Sequence, residues 1–211
     1  MREVRRKIEF GCLLIMSIIM ALFICSWLFA QEPLRLPRLQ QIEPETLRSG
    51  SYLVEYRADL RIPISAEWQL CAADIGKTKR EPSWRFTEDM RVAQPRATHE
   101  DYTKSGYDRG HMVPAADRSS NISSMKSTFI MTNVCPQVPS LNRGAWKRLE
   151  NSCRSYVLNC APVRIHVDAV FWHADTQRIG SHAVAVPHGF VKSVFSMPQD
   201  SLIYSRYFQN Y

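Results

Sequence analysis

Two short blocks of this chain hold side chains that could work together on a phosphorus ester. The first is Ser105-Gly106-Tyr107-Asp108-Arg109-Gly110-His111-Met112. The second runs from Thr132-Asn133-Val134-Cys135-Pro136-Gln137 to Leu141-Asn142-Arg143-Gly144-Ala145-Trp146-Lys147-Arg148-Leu149-Glu150. An imidazole is half-charged near neutral pH, so His111 suits a general base that takes a proton from water. Arg109 offers a planar fork that matches a phosphate. Asn142 offers a neutral, hard oxygen of the kind that magnesium accepts while keeping most of its waters. Glu150 could hold a metal-bound water. Together these are parts for phosphodiester hydrolysis assisted by one Mg2+ ion, with Mn2+ as a substitute. Asp108 could orient the imidazole, and Gly110 would let backbone and substrate approach closely. Asn142 has a second reading as a helix N-cap, for which Asn is favoured. Most histidines are packed or surface residues, and His99, His166, His173, His182 and His188 are read so.

These residues need a frame. Tyr52–Tyr56 and Ala66–Cys71 read as strands, as do Thr128–Thr132, Ser155–Leu158, Arg164–Trp172, Ala183–Val186 and Phe190–Phe195. Pro136 and Pro139 break the chain before a helix that starts near Ser140 or Leu141 and passes Glu150. On that helix Asn142, Trp146 and Glu150 lie four apart and share a face. Asp74–Pro82 reads as a loop, and Arg91–Lys104 as an irregular segment near the site. Many strands with one strong helix predict an α+β domain with a mostly antiparallel sheet.

The N-terminus carries an address. Arg2, Arg5, Arg6 and Lys7 precede an uncharged apolar run, Phe10–Ala30. That is the pattern of an export signal, but its length is nearer a membrane span. Both readings stay open, with the uncleaved anchor favoured. Either places the rest of the chain outside the cytosol, as a periplasmic, extracellular or membrane-anchored domain. The expected organisation is 1–30 signal or anchor, 31–50 proline-bearing linker and 51–211 catalytic domain. Cys71, Cys135, Cys153 and Cys160 allow three disulfide pairings there. The net charge of +7 suits a polyanionic partner.

The first block, continued by Pro114-Ala115-Ala116-Asp117, and the second block in this order resemble the DNA/RNA non-specific endonucleases. That family includes secreted bacterial nucleases and mitochondrial endonuclease G. The resemblance spans about Tyr52 to Phe195. It implies a ββα-metal (His-Me finger) fold and cleavage of DNA and RNA to 5′-phosphate products. It implies roles too: His111 as general base, Asn142 as the protein ligand to Mg2+, Glu150 supporting the hydrated ion, and Arg109 at the phosphate. Asn133 would shape the site and meet substrate. DNA and RNA are then the expected partners, with the membrane through residues 10–30 if these are retained; a homodimer is compatible with the sequence. The tail Ser196–Tyr211 is expected to leave a sheet edge uncovered. That carries a second reading, an anchored nucleic-acid-binding protein that has lost catalysis. A third, a disulfide-bonded envelope protein, leaves the two blocks unexplained.

Overall fold

Alternation builds the sheet. In β2 (Tyr52–Arg57) the side chains of Tyr52, Val54 and Tyr56 turn inward while their neighbours are partly or fully exposed. In β6 (Val163–Val170) Val163, Ile165 and Val167 do the same. A computed structural model of the chain describes residues 43–172 and 176–211. In it β1 (Glu45–Ser49), β2, β3 (Ile62–Leu70), β6, β9 (Gly189–Ser196) and β10 (Leu202–Gln209) form one six-stranded sheet. Its order is β1-β2-β3-β6-β9-β10, and every neighbouring pair is antiparallel. The α+β class with a mostly antiparallel sheet is therefore the one observed.

Two short strands, β4 (Asp108–His111) and β5 (Val134–Gln137), pair separately, Gly110 opposite Cys135 and His111 opposite Val134. Helix α1 (Ile122–Lys126) lies between them in sequence, capped by Asn121, whose side chain accepts from the Ser124 N–H. After β5 comes a wide π-type turn, Leu141–Trp146, kinked at Gly144 (φ −103°, ψ −110°), and then α2 (Lys147–Asn159). β7 (Arg178–Ile179) and β8 (Val184–Ala185) make a small separate pair. The main core joins Trp68, Met112, Trp146, Ile165 and Phe190, all nearly inaccessible to solvent.

Several expectations change. Thr128–Thr132 is not a strand: the Thr128 and Phe129 N–H groups close the end of α1, and Ile130 makes only a single bridge with Thr87. Ser155–Leu158 belongs to α2, where Cys153 and Val157, four apart, face the core and Leu158 is exposed. Glu45–Ser49, placed in the linker, is β1. The four cysteines of the described residues are all free thiols, so none of the three pairings forms. The N-terminal address, residues 31–42 of the linker and His173 lie outside the described residues. Among those described, no helix is long and apolar enough to cross a membrane.

The tail differs most. Rather than leaving β9 bare, Leu202–Gln209 pairs along it, Phe208 opposite Phe190. Asn210 then reaches back to the site. Its Nδ2 donates to the carbonyls of Pro136 (3.0 Å) and Pro187 (2.9 Å), and its Oδ1 accepts from the Val138 N–H (2.9 Å). Asn210 is 2% exposed, so no water can replace these bonds. Asn210→Ala should destabilise the protein by about 3 kcal/mol, measured by urea unfolding. A change within about 0.5 kcal/mol would mean that the tail is not fastened this way.

Candidate active site

β4 brings His111 to the wall of a cleft of about 370 Å3, lined by Arg80, His111, Asn142, Arg143, Lys147, Glu150 and Arg154, with Pro114–Ala116 at its edge. Its ring is packed against both Phe86 (centroids 4.8 Å apart) and Phe129 (5.1 Å), which also touch each other (5.2 Å). Its Nε2 is sealed from solvent with no hydrogen-bond partner, which leaves Nδ1 as the nitrogen available to the cleft. Desolvation by the two phenyl rings, then the nearby Arg80 charge, lowers the imidazole pKa to about 3. The ring is thus neutral at any working pH, with a lone pair to accept a proton. A bound phosphodiester would add negative charge beside it and raise its basicity.

The strand geometry around His111 is fixed from the neighbouring segment. Asn133, fully buried, accepts from the Val113 N–H (2.9 Å) and donates to the carbonyls of Val113 and Thr128 (both 3.0 Å). Every polar atom of its amide is used, so Asn133 shapes the chain just after His111 and has nothing left for substrate, contrary to the substrate contact expected of it. Gly110 also departs from its expected role. A Cβ there would stand 2.3 Å from the Gln137 amide, so the glycine admits Gln137 and not substrate.

Asp108 does not orient the imidazole. Its carboxylate accepts from Asn142 Nδ2 (2.9 Å) and from Arg143 Nε and Nη2 (2.8 and 2.6 Å). Burial would raise its pKa, but these partners together hold it below the usual carboxylate range. With Nδ2 committed to Asp108, Asn142 has only Oδ1 to present to the cleft. The N-cap reading fails, since Asn142 sits inside the π-type turn and its side chain caps nothing. That turn also undoes the shared face. Trp146 is buried against Phe190 and Phe208, whereas Asn142 and Glu150 both reach the cleft.

Glu150 lies at the cleft's inner end. Burial raises its pKa to about 6; Lys192 lowers it and Asp117 raises it. Lys192 Nζ is 3.9 Å from Glu150 Oε1 and 4.1 Å above the Trp146 ring, and this ammonium is almost wholly buried. Asp117, equally buried, accepts from Arg154 (2.5 Å) and from Trp68 Nε1 (3.1 Å). Among the described residues no three His, Cys, Asp or Glu side chains gather to hold a metal. A lone amide oxygen with one carboxylate nearby fits an ion that keeps most of its water, which is the habit of Mg2+.

Arg109 is not brought into this cleft. Its Nη2 donates to the His99 carbonyl (2.5 Å) and Thr103 Oγ1 (3.1 Å), and its guanidinium lies over Tyr102. The cations at the cleft are Arg80, Arg143, Lys147 and Arg154, none singled out from the sequence. The one available signal for Arg80 was the density of basic residues in Lys77-Thr78-Lys79-Arg80.

Three histidines can be told apart by titration. His166, held between Glu67 (3.2 Å) and Asp168 (2.9 Å), is raised above its ordinary value. His111 is depressed, so between about pH 3 and 6.5 the unfolded chain takes up its proton and the folded chain does not. Its contribution to stability is complete above about pH 6.5 and is lost as the pH falls. Glu150 has the opposite sign: its contribution is present below about pH 4.5 and lost as the pH rises through about 6. NMR should find the His111 ring signals unmoved from about pH 7.5 to 4.5, with His99 titrating below and His166 above about 6.5. A His111 midpoint near 6.5 would contradict the packed ring.

Comparison with known proteins bears on the family and the fold. The family profile described as DNA/RNA non-specific endonuclease matches residues 35–207. A nuclease of Nostoc is 40% identical over 90 residues, covering 43% of this chain and 33% of that protein. Mitochondrial endonuclease G of Bos taurus is 35% identical over 153 residues, 68% of this chain and 51% of that protein. The chain thus spans a third to a half of the length of these curated relatives. The structure of the EndoG/EndoGI complex superposes with a TM-score of 0.73 at 25% identity, covering 83% of this chain and 76% of that one.

Proposed function

The chain belongs to the DNA/RNA non-specific endonuclease family, and from that premise we propose that it hydrolyses phosphodiester bonds of DNA and RNA with Mg2+. The observation that carries the proposal is the single cleft shared by His111, Asn142 and Glu150 and walled by Arg80, Arg143, Lys147 and Arg154. The cations would seat the phosphate between the imidazole and the amide. His111 Nδ1 takes a proton from a water, whose oxygen attacks phosphorus as the ester bond to the leaving oxygen breaks. Asn142 Oδ1 and, through water, Glu150 would hold Mg2+, which when bound supplies positive charge to the phosphorus centre and the leaving oxygen. Asp108 fixes the amide's direction, and Lys192 keeps a countercharge beside Glu150. Contacts to the sugar-phosphate backbone carry little sequence information, which fits cleavage of both polymers. We read the N-terminal run as export or anchoring, so that this chemistry takes place outside the cytosol.

Purified protein should nick supercoiled plasmid in Mg2+ and stop on addition of chelator; binding without nicking under any divalent ion would overturn the reading. His111→Ala should lower kcat by about 10²- to 10⁴-fold while DNA affinity in chelator stays within about twofold. Asp108→Ala frees the Asn142 amide, so the Mg2+ concentration giving half-maximal rate should rise about 10- to 100-fold. An unchanged Mg2+ titration would remove the Asp108–Asn142 pair from the ion's site.

A further inference from the structure

The cleft does not end at Arg80. That guanidinium lines it and also lies 4.9 Å over the Phe129 ring. Phe129 in turn forms part of a second hollow of about 520 Å3, lined by Glu81, Ser83, Trp84, Arg85, Thr87 and Lys126. The two hollows therefore meet across Arg80 and Phe129. The loop between them is fastened at both ends. Gly76 N–H donates to Ser119 Oγ (2.9 Å) and Thr78 N–H to the Ser119 carbonyl (3.3 Å) at one end. At the other, Trp84 N–H donates to the Glu81 carbonyl (3.1 Å) and Thr87 N–H to the Phe129 carbonyl (3.0 Å).

The shelf's cations stand ready for an anion. Lys126 Nζ is held 5.4 Å over the Trp84 ring. Arg85 donates to the carbonyls of Pro82 and Trp84 and faces solvent. Arg91 and Arg96, a little further along the chain, are paired with Asp89 and Glu88. Among the described residues the ion pairs do not extend to Arg80, Arg85 or Lys126. The aromatic rings beneath are turned inward, Trp84 at 7% and Phe129 at 4% exposure. They are too enclosed to stack with bases. The surface presents the cations Arg85 and Lys126, the Ser83 hydroxyl and one carboxylate, Glu81, while the Thr87 hydroxyl donates to the Phe129 carbonyl (3.3 Å). The two cations and the free hydroxyl suit phosphate oxygens and not base edges.

We propose that this shelf, with Arg85 and Lys126 as its contacts, is an accessory subsite for the nucleic-acid backbone. It holds phosphates of the strand that continues past the scissile bond, without regard to sequence. The inference rests on the nuclease reading and deepens it. Arg85, on the fastened loop, and Lys126, at the end of α1 and held over Trp84, lose little freedom on binding, so the subsite favours long polymers over short ones.

The test compares the wild type with the double variant Arg85→Ala/Lys126→Ala on plasmid DNA and on bis-(p-nitrophenyl) phosphate, which is too small to reach the shelf. The KM for plasmid should rise at least about fivefold, and the slope of log affinity against log salt should fall by about one per cation removed. The effect on the small ester should stay within about twofold. The charge-conserving Arg85→Lys/Lys126→Arg protein should recover most of the plasmid KM. An equal loss on both substrates, or an unchanged plasmid KM and salt slope, overturns the subsite. A wild type that cuts neither substrate sinks the nuclease reading instead. In that case anisotropy of a labelled oligonucleotide in chelator still decides the shelf: unchanged affinity in the double variant refutes it, and weaker binding with a shallower salt slope upholds it.

Discussion

One carboxylate carries the alignment of the candidate site. Asp108 stands three residues before His111 on β4 and grips Asn142 and Arg143, two residues of the cleft wall. An amide can present either its oxygen or its nitrogen, and only a committed partner decides which. Asp108 can accept hydrogen bonds but, when ionised, not donate them, so the Asn142 nitrogen turns toward it and the oxygen is left for the cleft. The base and the oxygen ligand are thereby tied to one short strand. The distance between them is set by backbone and by a charge-assisted contact, both far stiffer than a surface side chain.

Burial supplies the second constraint. The cleft is rich in cations, yet its imidazole is kept neutral because Phe86 and Phe129 exclude the water that would stabilise the charged ring. At the inner end a carboxylate is buried beside an ammonium that is itself sandwiched near Trp68 and Trp146. Neither charge would remain ionised alone in such surroundings. The six-stranded sheet is what makes this arrangement affordable: β9 carries Lys192 into the core, and β10 with Asn210 closes the side that would otherwise admit solvent.

The two chemical blocks were legible because their residue types are unusual together and close in sequence. His111, Asn142 and Glu150 do meet in one cleft. The α+β class was legible from alternation in β2, β6 and β9. What sequence could not show were roles assigned by side-chain direction. Asp108 and Arg109 are neighbours on a strand, so they point to opposite sides. One grips Asn142, and the other turns to the His99 carbonyl. Asn133 looks like a functional amide until its three bonds are seen to be internal. Arg154 follows Glu150 by one helical turn on α2, so helical spacing alone could have paired them, whereas Lys192 comes from β9 and only the folded chain places it beside Glu150. The tail was misjudged because Ser196–Tyr211 matches nothing expected of the resembled family at that place, whereas in the fold it pairs along β9 and is anchored by Phe208 and Asn210.

The kinked turn at Leu141–Trp146 has a further meaning. In a regular helix the residues that seat it in the core and those that face the ligand are locked in one phase, so repacking one disturbs the other. The wide turn separates them: Trp146 settles against Phe190 and Phe208 on its own terms, while Asn142 answers only to Asp108. Substitutions that drift within the hydrophobic interior over evolutionary time can then be absorbed at the kink before they reach the amide, and the chemistry can outlast considerable change in the scaffold around it.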